Sequence, residues 1–360
     1  MMEVQYFCRL RPLGEYFLGG EKTFDFGNSK GNVKNNYFIH SEEEISQATI
    51  LGMMRFVMLK KNQLLSNGWE DRSKKEAQDT LIGKKGFTIE KDVIDVGYGK
   101  LKSISPVLIY KGNEPLLHVP LNHKGGCKTY TPFKMQEVGV SDMGDKTYLP
   151  IDFVAKDGLS YDYMKINDGE VVGKCDIFKA QARTRVAKNL QEDGFFKRTY
   201  RFLGDNYSFG FYVSFEEDWC SEKEIKDEIV YIGQEKSAFV LSFEKKAKTE
   251  LKIERYDSND SDYDIYYVVS DSFIEDYDKI KNMLLYAIVD KKSYRFLTRQ
   301  NGKNYAGSRK MSERFQFVRA GSVFYVRKEK VKEFEAEFSK STLCKSLIQI
   351  GFNNVIRMGE

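Results

Sequence analysis

The chain has 360 residues, 41% of them hydrophobic and 14% aromatic, with 57 Lys or Arg against 53 Asp or Glu. That length can bury the cores of two domains, and so many rings exclude an intrinsically disordered chain. A net charge of +4 excludes a uniformly polycationic nucleic-acid coat, so where the charge sits matters more than its total.

Charge is segregated along the chain. Lys291 to Lys330 holds twelve Lys or Arg against two Glu, and Lys174 to Arg201 holds eight against three acidic residues. Glu250 to Lys279 reverses this, with ten acidic residues against three basic ones. Such segregation suits a polyanion on one face, although solvated surface produces it too. Cys8, Cys127, Cys175, Cys220 and Cys344 are odd in number and include no CxxC pair. A reduced, cytoplasmic protein without a disulfide framework or zinc knuckle is the expectation. The N-terminus lacks the basic and apolar regions of a signal peptide, and no apolar run is long enough to cross a membrane.

In chain order, Val4, Tyr6, Cys8 and Leu10 alternate with Gln5, Phe7, Arg9 and Arg11, which predicts a strand. Tyr37–Ile39 reads as a short strand leading into a long helix. Ser41 is its expected N-cap, and Glu44 would complete a capping box. Glu42 to Glu44 would sit in the first turn, Lys60 and Lys61 in the last, and Asn67-Gly68 would end the helix. Ile45, Ala48, Gly52, Phe56 and Leu59 form its expected buried side, with the small residues against a sheet.

Residues 67–86 read as loop, followed by strand-like pieces at Phe87–Ile89 and Pro106–Tyr110. Residues 115–150 read as a long irregular insertion, here bounded at about 106–150. Asp176–Phe202 reads as a basic β-hairpin turning at Gln191–Gly194, with Arg183, Arg185, Lys188 and Asn189 before the turn and Lys197, Arg198 and Arg201 after it. Tyr207–Phe215 is a strong aromatic strand. A helix is expected over Ser221–Ile232, strands over Ser237–Phe243 and Asp264–Val269, and a helix after the second of these. Phe315–Val318 and Val323–Val326 could pair as a hairpin around Ala320-Gly321. A helix over Glu329–Phe338 and the apolar Leu343–Ile350 then lead into Gly351–Gly359. Interleaved strands and helices give an α+β chain. Two ferredoxin-like, RRM-like βαββαβ domains are expected, dividing at residues 1–205 and 206–360.

Catalytic motifs are missing. None of the Gly-Lys pairs is followed by Ser or Thr as a P-loop requires, and Gly97-Tyr98-Gly99 lacks a dinucleotide fingerprint's third glycine. Asp260, Asp262 and Asp264 begin like a calcium loop, but Ile265 stands where Gly is needed, so an acidic surface turn is the plainer reading. The histidines are His40, His118 and His123, and none belongs to an HExxH pair or a nucleophile set. No catalytic residue, metal site or cofactor is expected. Tyr207–Phe215 faintly echoes an RNA-stacking strand, yet Phe209, Phe211, Val213 and Phe215 share one face and read better as core. Gly19-Gly20 would either bring backbone N–H groups to a phosphate or form a tight turn.

Several stretches, taken in order, resemble RAMP proteins, specifically subunit three of the type III-B CRISPR effector, the Cmr complex. They are Arg11-Pro12-Leu13, Tyr16-Phe17-Leu18-Gly19-Gly20-Glu21, and Ser41 with Gln47, Gly52 and Arg55. Pro120-Leu121, the basic segment ending in Asp193-Gly194-Phe195-Phe196, Arg319–Tyr325 and the Gly351–Gly359 loop complete the set. Ile232-Gly233-Gln234-Glu235 departs from the expected Gly-Gly-Glu.

The resemblance implies a non-catalytic subunit that grips the repeat-derived 5′ tag of the CRISPR RNA, and possibly target RNA. It also implies docking to a large Palm-domain subunit and to backbone RAMP subunits in antiviral defence, with no membrane partner. The RNA contacts it implies are Gly19, Gly20, Lys22, His40, Ser41, Gln47, Arg55, Arg183, Arg185, Lys188, Asn189, Lys197, Arg198, Arg201, Arg319, Gly351, Asn353 and Arg357. Relatives that process CRISPR transcripts cut RNA without metal, so an endoribonuclease using His40 is the alternative, and a stand-alone RNA binder is a third reading.

Overall fold

The computed structural model describes residues 3–24, 37–65, 72–84, 87, 89, 97–140, 146–152, 160–187, 194–221, 224–233, 235–253, 262–299 and 309–359. In chain order the first elements are β1 (Glu3–Pro12), β2 (Leu18–Phe24), β3 (Tyr37–Glu42), α1 (Gln47–Lys61) and α2 (Lys75–Ile82). Next come β4 (Leu101–Ile104), β5 (Leu108–Lys111), β6 (Glu114–His118), β7 (Met135–Val140), β8 (Lys146–Pro150), β9 (Tyr163–Lys165) and β10 (Val171–Val172). A short α3 (Lys174–Ile177) leads into β11 (Phe178–Ala187), β12 (Gly194–Leu203), β13 (Tyr207–Glu216), β14 (Glu228–Ile232) and β15 (Ser237–Lys245). The last part holds β16 (Tyr263–Val268), α4 (Tyr277–Lys281), β17 (Leu284–Ile288), β18 (Lys291–Tyr294), β19 (Leu297–Arg299) and β20 (Arg309–Met311). It closes with β21 (Phe315–Val318), β22 (Val323–Arg327), α5 (Val331–Glu337), α6 (Thr342–Gln349) and β23 (Val355–Arg357). The chain is α+β, with mostly antiparallel sheets and few helices.

β1 forms as its alternation predicts. Cys8 and Leu10 are fully buried in one apolar cluster. Phe7 on the opposite face is buried as well, in a second cluster with Tyr110, Tyr267 and Tyr325, so this strand is covered on both sides. The main sheet runs β10-β9-β6-β5-β13-β1-β15-β14, with β4 also against β13. Strands on both sides of residue 205 share this sheet. The C-terminal sheet runs β17-β22-β16-β23, all antiparallel. A third sheet, β11-β12-β3-β2, is antiparallel except where β12 meets β3 in parallel.

The long helix starts later than its sequence suggests. Ser41 lies in β3 opposite Gly19, extended in the ladder, and its buried hydroxyl accepts the Leu18 N–H at 2.8 Å. A residue committed to a sheet cannot cap a helix, and Ser46 takes that role, accepting the Thr49 N–H at 3.3 Å. Ile50, Leu51, Met53, Met54, Val57 and Met58 form the buried stripe. Of the expected face, Ile45 is buried and Ala48 and Leu59 pack against the core, whereas Gly52 is exposed with open space around it and Phe56 is 47% exposed. The Asn67-Gly68 stop lies outside the described residues.

Other expectations are corrected. Residues expected as loop include a 3-10 turn at Arg72–Lys74 and the helix α2. Phe87 and Ile89 are buried without strand pairing, and the 115–150 insertion carries most of β6, then β7 and β8. The helix expected at Ser221–Ile232 gives way to β14, whose Val230 and Ile232 alternate inward with exposed Ile229 and Tyr231. β21 and β22 do not form a hairpin: β21 pairs with β18, while β22 joins the C-terminal sheet. The basic hairpin forms as expected, in register Arg183 opposite Arg198, with its turn outside the described residues. Tyr207–Phe215 is β13 at the centre of the main sheet, and Phe209, Phe211, Val213 and Phe215 are all buried.

Candidate nucleic-acid interface

Three segments far apart in sequence meet in the β11-β12-β3-β2 sheet. β2 brings Gly19, Gly20 and Lys22, β3 brings His40 and Ser41, and the hairpin brings Arg183, Arg185, Lys197, Arg198 and Arg201. Lys22 and Arg185 are placed here by their backbones alone, and Lys188 and Asn189 fall outside the described residues. Gly20 is required by this geometry. A Cβ there would meet the His40 carbonyl oxygen at 2.3 Å, whereas one on Gly19 would meet nothing within 4 Å.

Strand alternation divides the basic residues between the two faces. Arg183, Arg198 and Tyr200 share a face with Ile39, and this face turns toward the body. There Tyr200, Ile39 and Phe17 form a small buried cluster. Arg183 pairs with Glu15 at 2.6 Å and lies over the Tyr200 ring. Arg198 pairs with Glu235 and covers the Phe17 ring. Lys197 and Thr199 share the other face with Phe38 and His40. Lys197 and His40 are exposed there, and the Lys197 ammonium stands 5.9 Å from the centre of the Phe38 ring. At the sheet's end Arg201 pairs with Glu43 at 2.8 Å. The described basic side chains of the hairpin, Arg183, Lys197, Arg198 and Arg201, therefore do not line one groove. Arg183, Arg198 and Arg201 each pair with a glutamate, and Lys197 stands exposed beside the Phe38 ring.

The remaining expected residues lie elsewhere. Gln47, at the start of α1, is buried and donates its amide to the Gly351 carbonyl at 3.0 Å. Gly351 has φ +93° and passes so close to Ser105 that a Cβ would meet its carbonyl oxygen at 2.5 Å. Asn353 is buried, and its side chain binds the backbone N–H and C=O of Phe273 at 2.7 and 3.3 Å. These three hold the interior together, and Val355–Arg357 is a strand where a loop was expected. Arg55 lies over the Tyr98 ring, Arg319 pairs with Asp290 at 3.3 Å, and Arg357 pairs with Asp264 at 2.9 Å.

One polar cluster has no counterpart in the sequence reading. Glu44 receives His118 Nε2 at 3.0 Å and the Tyr163 hydroxyl at 2.7 Å. Lys292 lies 3.9 Å from Glu42 and 3.8 Å from Asp271, and Asp271 also accepts the Tyr294 hydroxyl and the Ala320 N–H. Burial pushes the Glu44 carboxyl up, but His118, Lys292 and the Tyr163 hydrogen bond outweigh it and hold the group well below the usual carboxylate range. Burial likewise works against the Lys292 charge, and Asp271, Glu44 and Glu42 outweigh it and raise its pKa. Glu44 follows β3, His118 ends β6 and Lys292 lies in β18, so the network joins the candidate interface to the main sheet and to the two-stranded β18-β21 sheet. Positions 44, 118, 163, 271 and 292 carry no local spacing that could have revealed it.

Among the described residues, no three His, Cys, Asp or Glu side chains are grouped as a metal site requires, and no helix is long and apolar enough to cross a membrane. No family model matches the sequence, and no curated protein matches it. Solved structures with a similar trace include a type III-B Cmr-beta complex bound to cognate target RNA, at 14% identity and a TM-score of 0.48 over 97% of this chain and 96% of that chain. The same complex with target RNA and AMPPnP gives the same values. The Csm3-Csm4 subcomplex of the type III-A CRISPR-Cas interference complex is similar at 12% identity and a TM-score of 0.35, over 91% of this chain and 96% of that chain.

Proposed function

We propose that this chain is a non-catalytic, RNA-gripping subunit of a type III-B CRISPR effector, holding the 5′ tag of the CRISPR RNA and docking a large Palm-domain subunit and a backbone RAMP subunit. One observation carries the reading. The N-terminal glycine segment, the His40-Ser41 segment and the basic hairpin, each singled out by its resemblance to RAMP proteins, fold onto one sheet with an open face. Phe38 and His40 offer rings to unstacked bases, and Lys197, which has no ion-pair partner among the described residues, offers its charge to a phosphate, the pairing of features by which single-stranded RNA is held.

Two ferredoxin-like units, divided between Lys245 and Tyr263, fit the strand orders. β16, α4, β17, β22, α5 with α6, and β23 come in that chain order, with β18 to β21 inserted after β17, and their sheet is ordered 4-1-3-2. β1, α1, β4, β13 and β15 repeat that order in the main sheet, with β14 in place of the second helix. His40 acts in this scheme as a stacking ring rather than a general acid or base, since it stands on an open strand. Purifying the chain from its native cell and sequencing its RNA tests the proposal. Short RNAs sharing one 5′ tag, together with a large partner protein, are the expected result. Heterogeneous RNA with no large partner, or cleavage of repeat RNA in EDTA that His40→Ala abolishes, would overturn it.

A further inference from the structure

One well-formed cavity among the described residues lies away from the interface sheet. It has a volume of about 490 Å³ and lies between the outer face of the main sheet and the C-terminal sheet, under the segment 248–252 that links them. That size suits a mononucleotide, since small-ligand sites span roughly 300–1,000 Å³. One wall is Tyr110 and Tyr212, both held against Phe7 at ring-centre distances of 4.9 and 5.1 Å. The facing wall includes Tyr266 and Phe338, and Tyr266 is fixed by donating its hydroxyl to Glu335 at 2.6 Å. Asn354 lines this space, and its backbone is tied down, its N–H to Ser270 Oγ at 3.1 Å and its carbonyl to the Val269 N–H at 2.8 Å. Lys248 and Lys252 stand on the rim, exposed.

We infer that this cleft binds a single nucleotide, its base between the aromatic walls and its phosphate toward Lys248 and Lys252. Aromatic walls accept any planar base. A carboxamide offers one donor and one acceptor side by side, which matches the N6 and N7 edge of adenine. The preferred ligand is therefore an adenine nucleotide. The inference is independent of the interface sheet, which lies on other strands.

Calorimetric titration of the full chain with AMP tests it, with CMP and inorganic phosphate as comparisons. Saturable AMP binding is expected, tighter than CMP binding, and weakened about tenfold by Asn354→Ala, as loss of a paired base contact implies. The Lys248→Ala, Lys252→Ala double variant should weaken AMP more than it weakens adenosine. Both variants alter side chains that make no hydrogen bond or ion pair among the described residues, so an unchanged unfolding midpoint establishes that they fold. A free nucleotide would still bind after RNA is loaded, whereas a nucleotide supplied by the RNA would be displaced by an oligoribonucleotide; either result supports the cleft. No saturable AMP binding, or binding unaffected by both variants, overturns it. RNA retention read in parallel through Lys197→Ala keeps this outcome separate from the fate of the interface sheet.

Discussion

Gly19 and Gly20 are neighbours in sequence, and the structure gives them opposite sensitivities to one methyl group. In Gly20→Ala the new Cβ would lie 2.3 Å from the His40 carbonyl oxygen, 3.3 Å from Glu42 Oε1 and 3.4 Å from the His40 carbonyl carbon. Ordinary contact needs about 3.4 Å, so β2 and β3 must part by about 1 Å, and the obstructing atom is backbone that cannot rotate away. Overpacking of this kind costs about 1–3 kcal/mol. Since β2 is the last strand of its sheet, the displacement would carry β3 and His40 with it or break the ladder beside them. Gly19→Ala meets nothing within 4 Å and should stay within about 0.5 kcal/mol of the parent. Urea unfolding measures both, and a lower midpoint at constant slope is expected for Gly20→Ala alone. Because Gly19 is sterically free, any loss of RNA affinity in Gly19→Ala at unchanged stability would report backbone approach to a phosphate. Equal stabilities for the two variants would refute the packing argument.

Four further outcomes follow from the same geometry. Lys197→Ala should weaken RNA binding and reduce the magnitude of its salt slope by about one, whereas Arg198→Ala, whose charge Glu235 already answers, should change the slope much less. Phe211→Ala should cost about 3–5 kcal/mol of stability while leaving the RNA salt slope unchanged, because that ring lies in the core. Asn353→Ala removes both ties to Phe273 and leaves half-buried backbone groups without that partner, for a loss of about 1–3 kcal/mol in urea unfolding. The Glu44 carboxyl is depressed in the fold, so its contribution is complete above the unfolded pKa of about 4.3 and is lost as pH falls toward the folded value. The stability gap between the parent and Glu44→Gln should therefore narrow on acidification from pH 7 to pH 3, and a constant gap would contradict the network.

Much of the fold was legible where one local rule acted alone. The alternation of Val4 to Leu10, the existence of the Asp176–Phe202 hairpin and the aromatic run of β13 each needed only a two-residue period, while the hairpin's register, with Gly194 already in β12, did not follow from it. The errors arose where tertiary pairing overrode a sound local signal. Ser41 has the chemistry of a cap, but β3 claims it, and the weaker-looking Ser46 five residues later takes the helix start. The polar run at Ser221–Ile232 has helical character, yet Val230 and Ile232 reach the main sheet as β14. The charge count singled out the hairpin, while the division of Arg198 from Lys197 depends on Glu235 and Phe38, which no sequence window brings together. The Glu44, His118 and Lys292 network is invisible for the same reason.

The central claim is that RNA lies on the open face of the β11-β12-β3-β2 sheet. Ultraviolet crosslinking of the natively purified chain to its bound RNA, with the crosslinked residues located by mass spectrometry, tests this most directly. Crosslinks at Phe38, His40 and Lys197 are the result the account requires. Crosslinks confined to other surfaces, with β3 and β12 unmodified, would contradict it.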